Sequence, residues 1–544
     1  MNLVAILLLT AAAAYGIARW LRLPSLPILI GAGMALNLAG FLPEGFQLGG
    51  GQDDEHAGAA LRILELGLVF LVFASGVELN PRRFVKRGAT VAWVGCVQFG
   101  VSALIGFGTS RWMGFGNVEA AYLGFGLAAS STLVVLNQLR SRHAMFEPFG
   151  RLVTGVLLLQ DALLIAVIVV LSRWAEGSLG IGLGLGEAGL LGAAAWLSQR
   201  YVIPQLVKRT KPDEESLLLW LVAVLFVFVG IAFSLGLPPI VGAFAGGFAF
   251  SAFPLNGLVR AQLSSLSDFF QALFFVALGA LVGVPDAAQW WTALQFSAIV
   301  IFVTPPLVMA MAEWRGMSTR ASIESGLLLA QTSEFSLLLG VSGLALGHLS
   351  TEGFGILALT TVITMTLTPL IGREQMARLL LPLHPFRRHQ TAEKVPSGHV
   401  LLLGFGAAGM WTVKPLIAQG EEVLVVDDDA VVCAELARRG VRVLRGDGSE
   451  KEILQRAGAA DAKLVIASMR RVGDALKVLE HVRDVPVVAR VFEEGEAAQI
   501  LAAGGIPVMN SQAAAETFIE WFVATSDTEP KAEGPRSIGF GGLG

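Results

Sequence analysis

The chain of 544 residues divides into a charge-poor part and a charge-rich part. Residues 1–372 contain 19 Lys and Arg and 20 Asp and Glu, whereas residues 373–544 contain 20 basic and 23 acidic residues. A mean hydropathy of +0.66 and an apolar content of 54% exclude a wholly soluble, disordered or collagen-like protein. The net charge of −4 argues against a nucleic-acid partner. We therefore predict a membrane domain at 1–372 that is followed by a soluble domain.

Apolar segments long enough to cross a membrane recur throughout the first part of the chain. A spanning helix needs about 20 mostly apolar residues. The predicted spans are 3–21, 25–42, 59–79, 88–110, 118–139, 152–172, 179–203, 216–234, 238–252, 264–284, 288–312, 321–346 and 353–371. Small residues, as in Gly242–Gly247, are expected to let these helices pack closely.

Lys and Arg in the short loops predict the orientation of these spans. If the N-terminus is outside and the spans alternate, 16 basic residues fall in inner loops. Only Arg62, Arg111 and Arg173 fall on the outer side. An odd number of spans then places the C-terminal domain in the cytoplasm.

One carboxylate, Asp161, lies near the middle of a predicted span. A charge at such a depth costs about 2.5–3.5 kcal/mol on insertion scales. Its presence predicts a pathway for ions or protons; the alternative is a neutral carboxyl group that is hydrogen-bonded for structure. The neighbouring Gln160 offers an uncharged oxygen ligand, or faces another helix or lipid.

Two clusters of polar residues interrupt predicted spans in the two halves of the membrane domain. The first is Ala129-Ser130-Ser131-Thr132 and the second is Ala330-Gln331-Thr332-Ser333-Glu334. Hydroxyl side chains either open a helix at a cavity or bond back to their own helix. Two broken helices in corresponding halves indicate inverted repeats with a site at their interface. Glu334 is the second candidate carboxylate, for ion contact or for bracing the helix crossing.

The sequence pattern changes after a basic, Pro-containing linker at 373–398. Five short apolar segments then alternate with helical stretches, which predicts a parallel, doubly wound sheet over 399–525. The predicted strands are His399–Gly404, Glu422–Val426, Val441–Leu444, Lys463–Ala467 and Pro486–Val491. The polar, Gly-rich tail at 526–544 is predicted to be disordered.

A dinucleotide-binding fingerprint follows the first of these strands. Gly404-Phe405-Gly406-Ala-Ala-Gly409 matches G-x-G-x-x-G, and Asp427 ends the next strand. The glycines allow a tight turn and close approach to phosphate, and Asp427 can bond a ribose hydroxyl. An empty, degenerate pocket is the alternative.

Two further acids near strand ends, Asp447 and Asp428, are weaker candidates for nucleotide contact. Asp447, after the third strand, contacts the adenosine part or caps a helix. Asp428 and its neighbour Asp429 are otherwise interpreted as solvated turn residues.

Taken together, the order and spacing of these motifs resemble one family of transporters. The matching stretches are Gly76–Pro81, Ser130–Leu136, Leu157–Asp161, Gly242–Gly247, Asp268–Phe275 and Ala330–Phe335. They resemble the bacterial Kef-type potassium:proton antiporters of the monovalent cation:proton antiporter superfamily. The following domain resembles the Trk-type (RCK) nucleotide-binding domain.

The resemblance implies about 13 transmembrane helices with NhaA-like inverted repeats and two crossed, unwound helices. It also implies a homodimer in the bacterial inner membrane, in contact with lipid. Asp161 is then the shared ligand of the proton and the potassium ion, and Gln160 belongs to the Gln-Asp pair associated with potassium. The unwound helices contribute Ser130, Ser131 and Thr132, and Gln331, Ser333 and Glu334. The C-terminal domain is expected to bind NAD(H) or AMP and to gate transport.

The chain departs from the family pattern in three respects, of which one is that the sequence ends soon after the predicted Rossmann unit. Family members often carry a lysine where this chain has Thr304-Pro305-Pro306, and the predicted loop at 255–267 lacks the acidic residues of glutathione-gated members. Glutathione regulation is therefore not carried over. We expect a near-electroneutral exchanger of potassium for protons, not an enzyme.

The sequence leaves three alternatives to potassium:proton exchange. A sodium:proton antiporter of the same fold is poorly distinguished by sequence. A potassium channel with a similar sensor would need a selectivity filter like TVGYG, which the chain lacks. A membrane-anchored oxidoreductase would leave Asp161 unexplained.

Overall fold

The computed structural model describes two compact units, which meet in sequence between Arg387 and Arg388. The described residues are 3–21, 24–40, 55–79, 88–142, 144–145, 147–210, 213–251, 255–282, 285–380, 397–405 and 409–509. The predicted tail at 526–544 and Gly406 of the fingerprint lie outside these ranges. The two units are described separately below.

The first unit is entirely helical in its described part. Its first half contains α1 Leu3–Leu21, α2 Ser25–Leu38, α3 Glu55–Glu78, α4 Gly88–Trp112, α5 Asn117–Ala128, α6 Thr132–Ser141, α7 Pro148–Ser172, α8 Gly177–Leu197 and α9 Ile203–Thr210. Its second half contains α10 Glu214–Ser234, α11 Pro239–Ala249, α12 Leu255–Val282, α13 Ala287–Trp314, α14 Thr319–Leu328, α15 Glu334–Ala345, α16 Thr351–Ile371 and α17 Glu374–Leu380.

Most of these helices carry apolar residues around their whole circumference, as expected of helices in lipid. Within the described ranges, eight helical stretches have the length and composition to cross a membrane, and five shorter apolar helices accompany them. Each of the thirteen predicted spans coincides with one of these stretches. How many of them cross the membrane stays a prediction.

Two predicted segments differ from the structure at their boundaries. Residues 255–267 are not a loop, because α12 already begins at Leu255. The predicted linker begins with α17, which packs against α14 through Ala377, Ile323 and Leu327. In both places an amphipathic helix extends beyond the strictly apolar segment that sequence hydropathy detects.

Contacts between helices divide the first unit into two bundles. In the core bundle, α4–α7 pack with α13–α16. In the scaffold bundle, α1–α3 pack with α10–α12. Each half of the core bundle contains one helix pair, α5 with α6 and α14 with α15, that a short non-helical segment separates. This duplication matches the inverted repeats expected from the sequence.

Glycines set the closest helix approaches within the scaffold bundle. A Cβ added at Gly247 of α11 would overlap the carbonyl oxygen of Phe73 in α3, and one added at Gly33 of α2 would overlap that of Val276 in α12. Small residues at both places let the helix backbones touch, as predicted for the segment around Gly247.

Helix α8 contacts helices of both bundles, α7 in the core and α11 in the scaffold. Arg173, just after α7, forms ion pairs with Glu176 at 3.0 Å and with Glu187 of α8 at 3.1 Å. Its guanidinium also donates to the Leu235 carbonyl oxygen at 3.1 Å, where α10 ends. One guanidinium thus ties the end of α7 to α8 and to the end of α10.

The second unit is a six-stranded parallel sheet in the order β3-β2-β1-β4-β5-β6. The strands are β1 Val400–Leu403, β2 Val423–Asp427, β3 Arg442–Arg445, β4 Leu464–Ala467, β5 Val487–Val491 and β6 Ile506–Met509. The helices between them are α18 Gly409–Ala418, α19 Ala430–Arg438, α20 Lys451–Arg456, α21 Val472–His481 and α22 Glu494–Ala502. This order is that of dinucleotide-binding Rossmann folds.

Both faces of the central strands are buried, which explains their uninterrupted apolar sequence. In β1, Leu401 and Leu403 point into one apolar cluster, whereas Val400 and Leu402 point into the other. Five of the strands were predicted from the sequence. The sixth, β6, was missed because it contains Pro507 and two exposed apolar residues, Ile506 and Val508.

Substituting Gly247 by Ala tests the close packing of α3 against α11. Because the added methyl group would overlap backbone, we expect overpacking to cost about 1–3 kcal/mol and to lower the melting temperature in detergent. Gly100→Ala in α4 is the matched control, since no described atom lies within 4 Å of a Cβ added there. Equal melting temperatures for the two variants would contradict the expectation.

Candidate functional site

The first interruption of the core bundle lies between α5 and α6. Ala129 and Ser131 have extended backbone conformations, with φ and ψ of −94° and 148° and of −68° and 122°. Ser131 caps the new helix, because its hydroxyl accepts a hydrogen bond from the Val134 N–H at 3.4 Å. A cap of this kind satisfies one of the free N–H groups at a helix start.

The second interruption lies between α14 and α15. Residues 330–333 are non-helical, and Ser333 caps α15 by accepting from the Phe335 N–H at 3.1 Å. Ser336 completes this cap, since its hydroxyl accepts from the Ser333 N–H at 3.3 Å. Glu334 is therefore the first residue of α15, at the end of the helix where N–H groups point outwards.

The two interruptions lie against each other and exchange hydrogen bonds. The Ser130 hydroxyl donates to the Leu329 carbonyl oxygen at 2.8 Å, and the Gln331 amide donates to that of Ser131 at 3.5 Å. The Ser336 hydroxyl donates to the carbonyl oxygen of Gly126 in α5 at 2.5 Å. Each break thus donates side-chain hydrogen bonds to backbone carbonyl groups at the other break.

Asp161 of α7 lies next to this crossing and is 1% exposed. Its Oδ2 accepts a hydrogen bond from the Thr132 hydroxyl at 3.1 Å, and Oδ1 has no hydrogen-bond partner among the described residues. The charged side chains that act on it, Glu334 and Glu78, are both acidic. A buried carboxylate with acidic neighbours needs a proton or a cation to balance it.

Gln160, which we expected to offer an oxygen ligand, instead forms hydrogen bonds with residues around the first break. Its Oε1 accepts from the Ser130 N–H at 3.0 Å, and its amide donates to the side-chain oxygen of Gln98. Gln98 in turn donates to the Ala128 carbonyl oxygen at 3.0 Å. In this structure Gln160 therefore fixes the shape of the break. Gln98 was missed, although a polar residue inside the predicted span at 88–110 was a usable signal.

Among the candidates on the second break, Glu334 and Gln331 retain free acceptors. Glu334 is 2% exposed, and its Oε2 has no hydrogen-bond partner among the described residues; the same holds for Oε1 of Gln331. Ser333 is occupied as the helix cap. The crossing thus has Thr132, Gln331 and Glu334 on the two breaks and Asp161 of α7 next to them, and all four side chains carry oxygen atoms.

A cavity of about 720 Å³ leads to this crossing from between the two bundles. Thr132 and Glu334 line it on the core side, and Glu78 and Asp268 line it on the scaffold side. Glu78 was missed as a site residue because it lies near a predicted helix end, where acids are common. Its position places a carboxylate on the route to the crossing.

Thr304, in the stretch where the sequence resemblance led us to expect a lysine, is buried at 4% exposure. Helix α13 continues through Pro305 and Pro306, and α14 packs on it at Gly326, close to the Pro305 backbone. Among the described residues, no basic side chain forms an ion pair with Asp161.

In the second unit, the fingerprint lies at the turn after β1. Gly404 has φ of +80°, a conformation that favours glycine. Asp427 ends β2, and its carboxylate accepts from the N–H groups of Phe405 and Asp429, each at 2.8 Å. Gly409 is the first residue of α18. The acid therefore lies beside the glycine turn, as in dinucleotide-binding folds.

The other acids of the fingerprint region have structural partners. Asp447 accepts hydrogen bonds from the Ser449 N–H and hydroxyl at 2.9 and 2.8 Å, so it closes the turn before α20. Asp429 is 9% exposed and thus is not a solvated turn residue as expected; Asp428 is partly exposed. Burial raises the pKa of Asp427 above the usual carboxyl value.

Two helix bundles with crossed interruptions around a buried carboxylate define a secondary transporter. The parallel sheet defines its attached domain as Rossmann-like. Residues 5–373 match the sodium/hydrogen exchanger family (transmembrane), and residues 400–511 match the TrkA-N domain. The chain belongs to the sodium/hydrogen exchanger family, and it is an antiporter of the membrane rather than an enzyme.

Two relatives match most of the chain. The protein of Escherichia coli (strain K12) named as the cation/proton antiporter YbaL is 25% identical over 85% of this chain and 88% of its own. That of Alkalimonas amylolytica named as the K⁺ efflux antiporter KefB is 26% identical over 82% of this chain and 71% of its own.

A solved structure confirms the fold of the membrane domain. The sodium proton antiporter MjNhaP1 from Methanocaldococcus jannaschii matches 69% of this chain and 97% of its own, with a TM-score of 0.54. Its sequence identity is 15%, so the likeness concerns the fold alone.

Proposed function

We propose that the protein exchanges potassium ions for protons and that Asp161 carries both in turn. The observation that supports this most directly is the environment of Asp161. It is buried, its Oδ1 accepts no hydrogen bond among the described residues, and its charged neighbours are acidic. Leaving this carboxylate ionised and unbalanced would cost several kcal/mol. A proton or a cation must therefore occupy it in each stable state.

Competition for one carboxylate couples the two fluxes. When a cation binds Asp161, the proton has left, and when the proton returns, the cation is released. The exchange is near-electroneutral if each occupant carries one charge and no basic residue takes part. Thr132, Gln331 and Glu334 supply further oxygen atoms at the crossing, which suit a partly dehydrated monovalent cation.

The cavity supplies access to the site from one side of the membrane. Its lining includes Pro24, Ser141 and Pro369, at helix ends that the loop charges predict to face the cytoplasm. Glu78 and Asp268 in its walls favour entry of cations over anions. Exchange then requires the core bundle to move against the scaffold bundle and open the site to the other side.

Potassium is favoured over sodium by the relative named as a K⁺ efflux antiporter and by the Gln160-Asp161 pair. Sodium remains the alternative, because the matching family is described as sodium/hydrogen exchangers. We propose a homodimer in the inner membrane, with the N-terminus outside and the Rossmann-like unit in the cytoplasm.

The Rossmann-like unit is proposed to bind NAD(H) or AMP and thereby to gate transport. Gly404 and Asp427 occupy the positions that hold phosphate and ribose in such folds, and Phe405 and Gly409 flank them. Nucleotide shifts transport only if it binds the active and inactive states unequally. The TrkA-N match supports this role for residues 400–511.

Substituting Asp161 by Asn tests the shared carrier. In proteoliposomes, we expect native protein to move protons in response to an imposed potassium gradient, and Asp161→Asn to lose this response. Glu352→Gln is the matched control, because it replaces an exposed carboxylate with an amide. Retained exchange in Asp161→Asn would refute the mechanism, and a response to sodium alone would refute potassium as the substrate.

Substituting Asp427 by Ala tests nucleotide binding. Loss of a charged acceptor should weaken binding of NADH or AMP about tenfold or more, measured by calorimetry on the full-length protein. Because burial raises the pKa of Asp427, affinity should also decrease on acidification, starting above the usual carboxyl pKa. Asp484→Ala, at an exposed acid, is the control. Native affinity in Asp427→Ala would contradict the assignment.

A further inference from the structure

Helix α16 supplies hydrogen bonds to the second interruption although α16 itself is continuous. The Thr332 N–H donates to the Thr364 hydroxyl at 3.2 Å, and the Thr332 hydroxyl donates to that of Thr361 at 3.0 Å. The hydroxyls of Thr332 and Thr364 are also 3.1 Å apart. All three threonines are fully buried.

The hydroxyl groups of α16 are oriented by their own helix. Thr361 donates to the Leu357 carbonyl oxygen at 2.8 Å, and Thr364 donates to that of Thr360 at 2.8 Å. Each hydroxyl has one hydrogen and two lone pairs, so the lone pairs stay available. They accept the N–H and O–H of Thr332. Each of these hydroxyl groups therefore donates within its own helix and also accepts a hydrogen bond from the neighbouring unwound segment.

We propose that Thr361 and Thr364 are positioning residues that hold the second break in its unwound form. This inference rests on the proposed function, because it concerns the geometry of the transport site. Thr332 lies two residues before Glu334, so its position sets where α15 begins and where the Glu334 carboxylate lies. Thr368 adds a hydrogen bond at 3.2 Å to the carbonyl oxygen of Ala330, at the start of the break.

Thr361 and Thr364 lie in the core bundle, which also contains the proposed transport site. Helix α16 packs with α13 and α15 of the core bundle. Helix α16 also contacts α2 and α12 of the scaffold bundle, but its contacts with α13 and α15 are more extensive. We therefore expect the threonines to move together with the break when the core bundle moves. The first break has a different support, from the side chains of Gln160 and Gln98.

Thr364→Val tests this role, because valine has nearly the same shape and no acceptor. In proteoliposomes we expect the KM for the cation to rise about five- to tenfold, since the freed N–H of Thr332 lets the break shift. Thr364→Ser, which restores the hydroxyl, should return the KM to near the native value. A shift of the pH profile of exchange should accompany the change in KM.

Thr366→Val is the matched control on the same helix. Its hydroxyl donates only to the Val362 carbonyl oxygen of its own helix, at 2.6 Å. A purely structural role of Thr364 would lower the amount of folded protein and the maximal rate but leave the KM and pH profile unchanged. That result, or an equal KM change in Thr366→Val, would overturn the inference.

Two further results keep the inference separate from the proposed function. Native protein that exchanges neither potassium nor sodium for protons would refute the function, whereas native exchange with an unchanged KM in Thr364→Val would refute only the inference. If Thr364→Val yields no folded protein, Thr361→Val removes a single acceptor and gives the same comparison of KM. An unchanged KM there would also overturn the inference.

Discussion

The constraint on which the membrane unit depends is that backbone N–H and C=O groups in a bilayer must find partners inside the protein. A continuous helix meets this constraint by itself, but a break exposes several groups at once. The described part of the membrane unit has two such breaks in its core bundle, and they meet. Ser130 on the first break satisfies a carbonyl beyond the second, and Gln331 on the second approaches a carbonyl of the first. These side-chain hydrogen bonds add to backbone ones, because the Leu329 carbonyl also accepts from the Gln331 N–H and the Ser131 carbonyl from the Val135 N–H.

The remaining groups are satisfied from different helices on the two sides. Side-chain amides of α4 and α7 serve the first break, whereas hydroxyls of α16 serve the second. Several side-chain oxygen atoms at the crossing have no hydrogen-bond partner among the described residues. These are Oδ1 of Asp161, Oε1 of Gln331 and Oε2 of Glu334. These three oxygen atoms at the crossing are the ones that the proposed transport function would use, although buried polar atoms elsewhere in the membrane unit, such as the Ser322 hydroxyl, also have no hydrogen-bond partner among the described residues.

Much of the fold could be predicted, because lipid and a parallel sheet both impose simple patterns. Apolar length gave the positions of the spans, and hydroxyl clusters gave both breaks. The strand β6 was missed because an edge strand with Pro507 lacks a buried apolar pattern. Hydrogen-bond partners that lie far apart in the sequence could not be predicted either. Nothing in the sequence pairs Gln98 with Gln160 or Thr364 with Thr332, since these contacts depend on how distant helices pack.

The charge balance around Asp161 bears most directly on how the proton and cation fluxes are coupled. Among the described residues, no basic side chain forms an ion pair with Asp161, and the charged side chains that act on it, Glu334 and Glu78, are acidic. An empty, ionised site is then costly in this arrangement. If Asp161 carries the ions as proposed, the core bundle should move only when a proton or a cation is bound, and this restriction would couple the two fluxes.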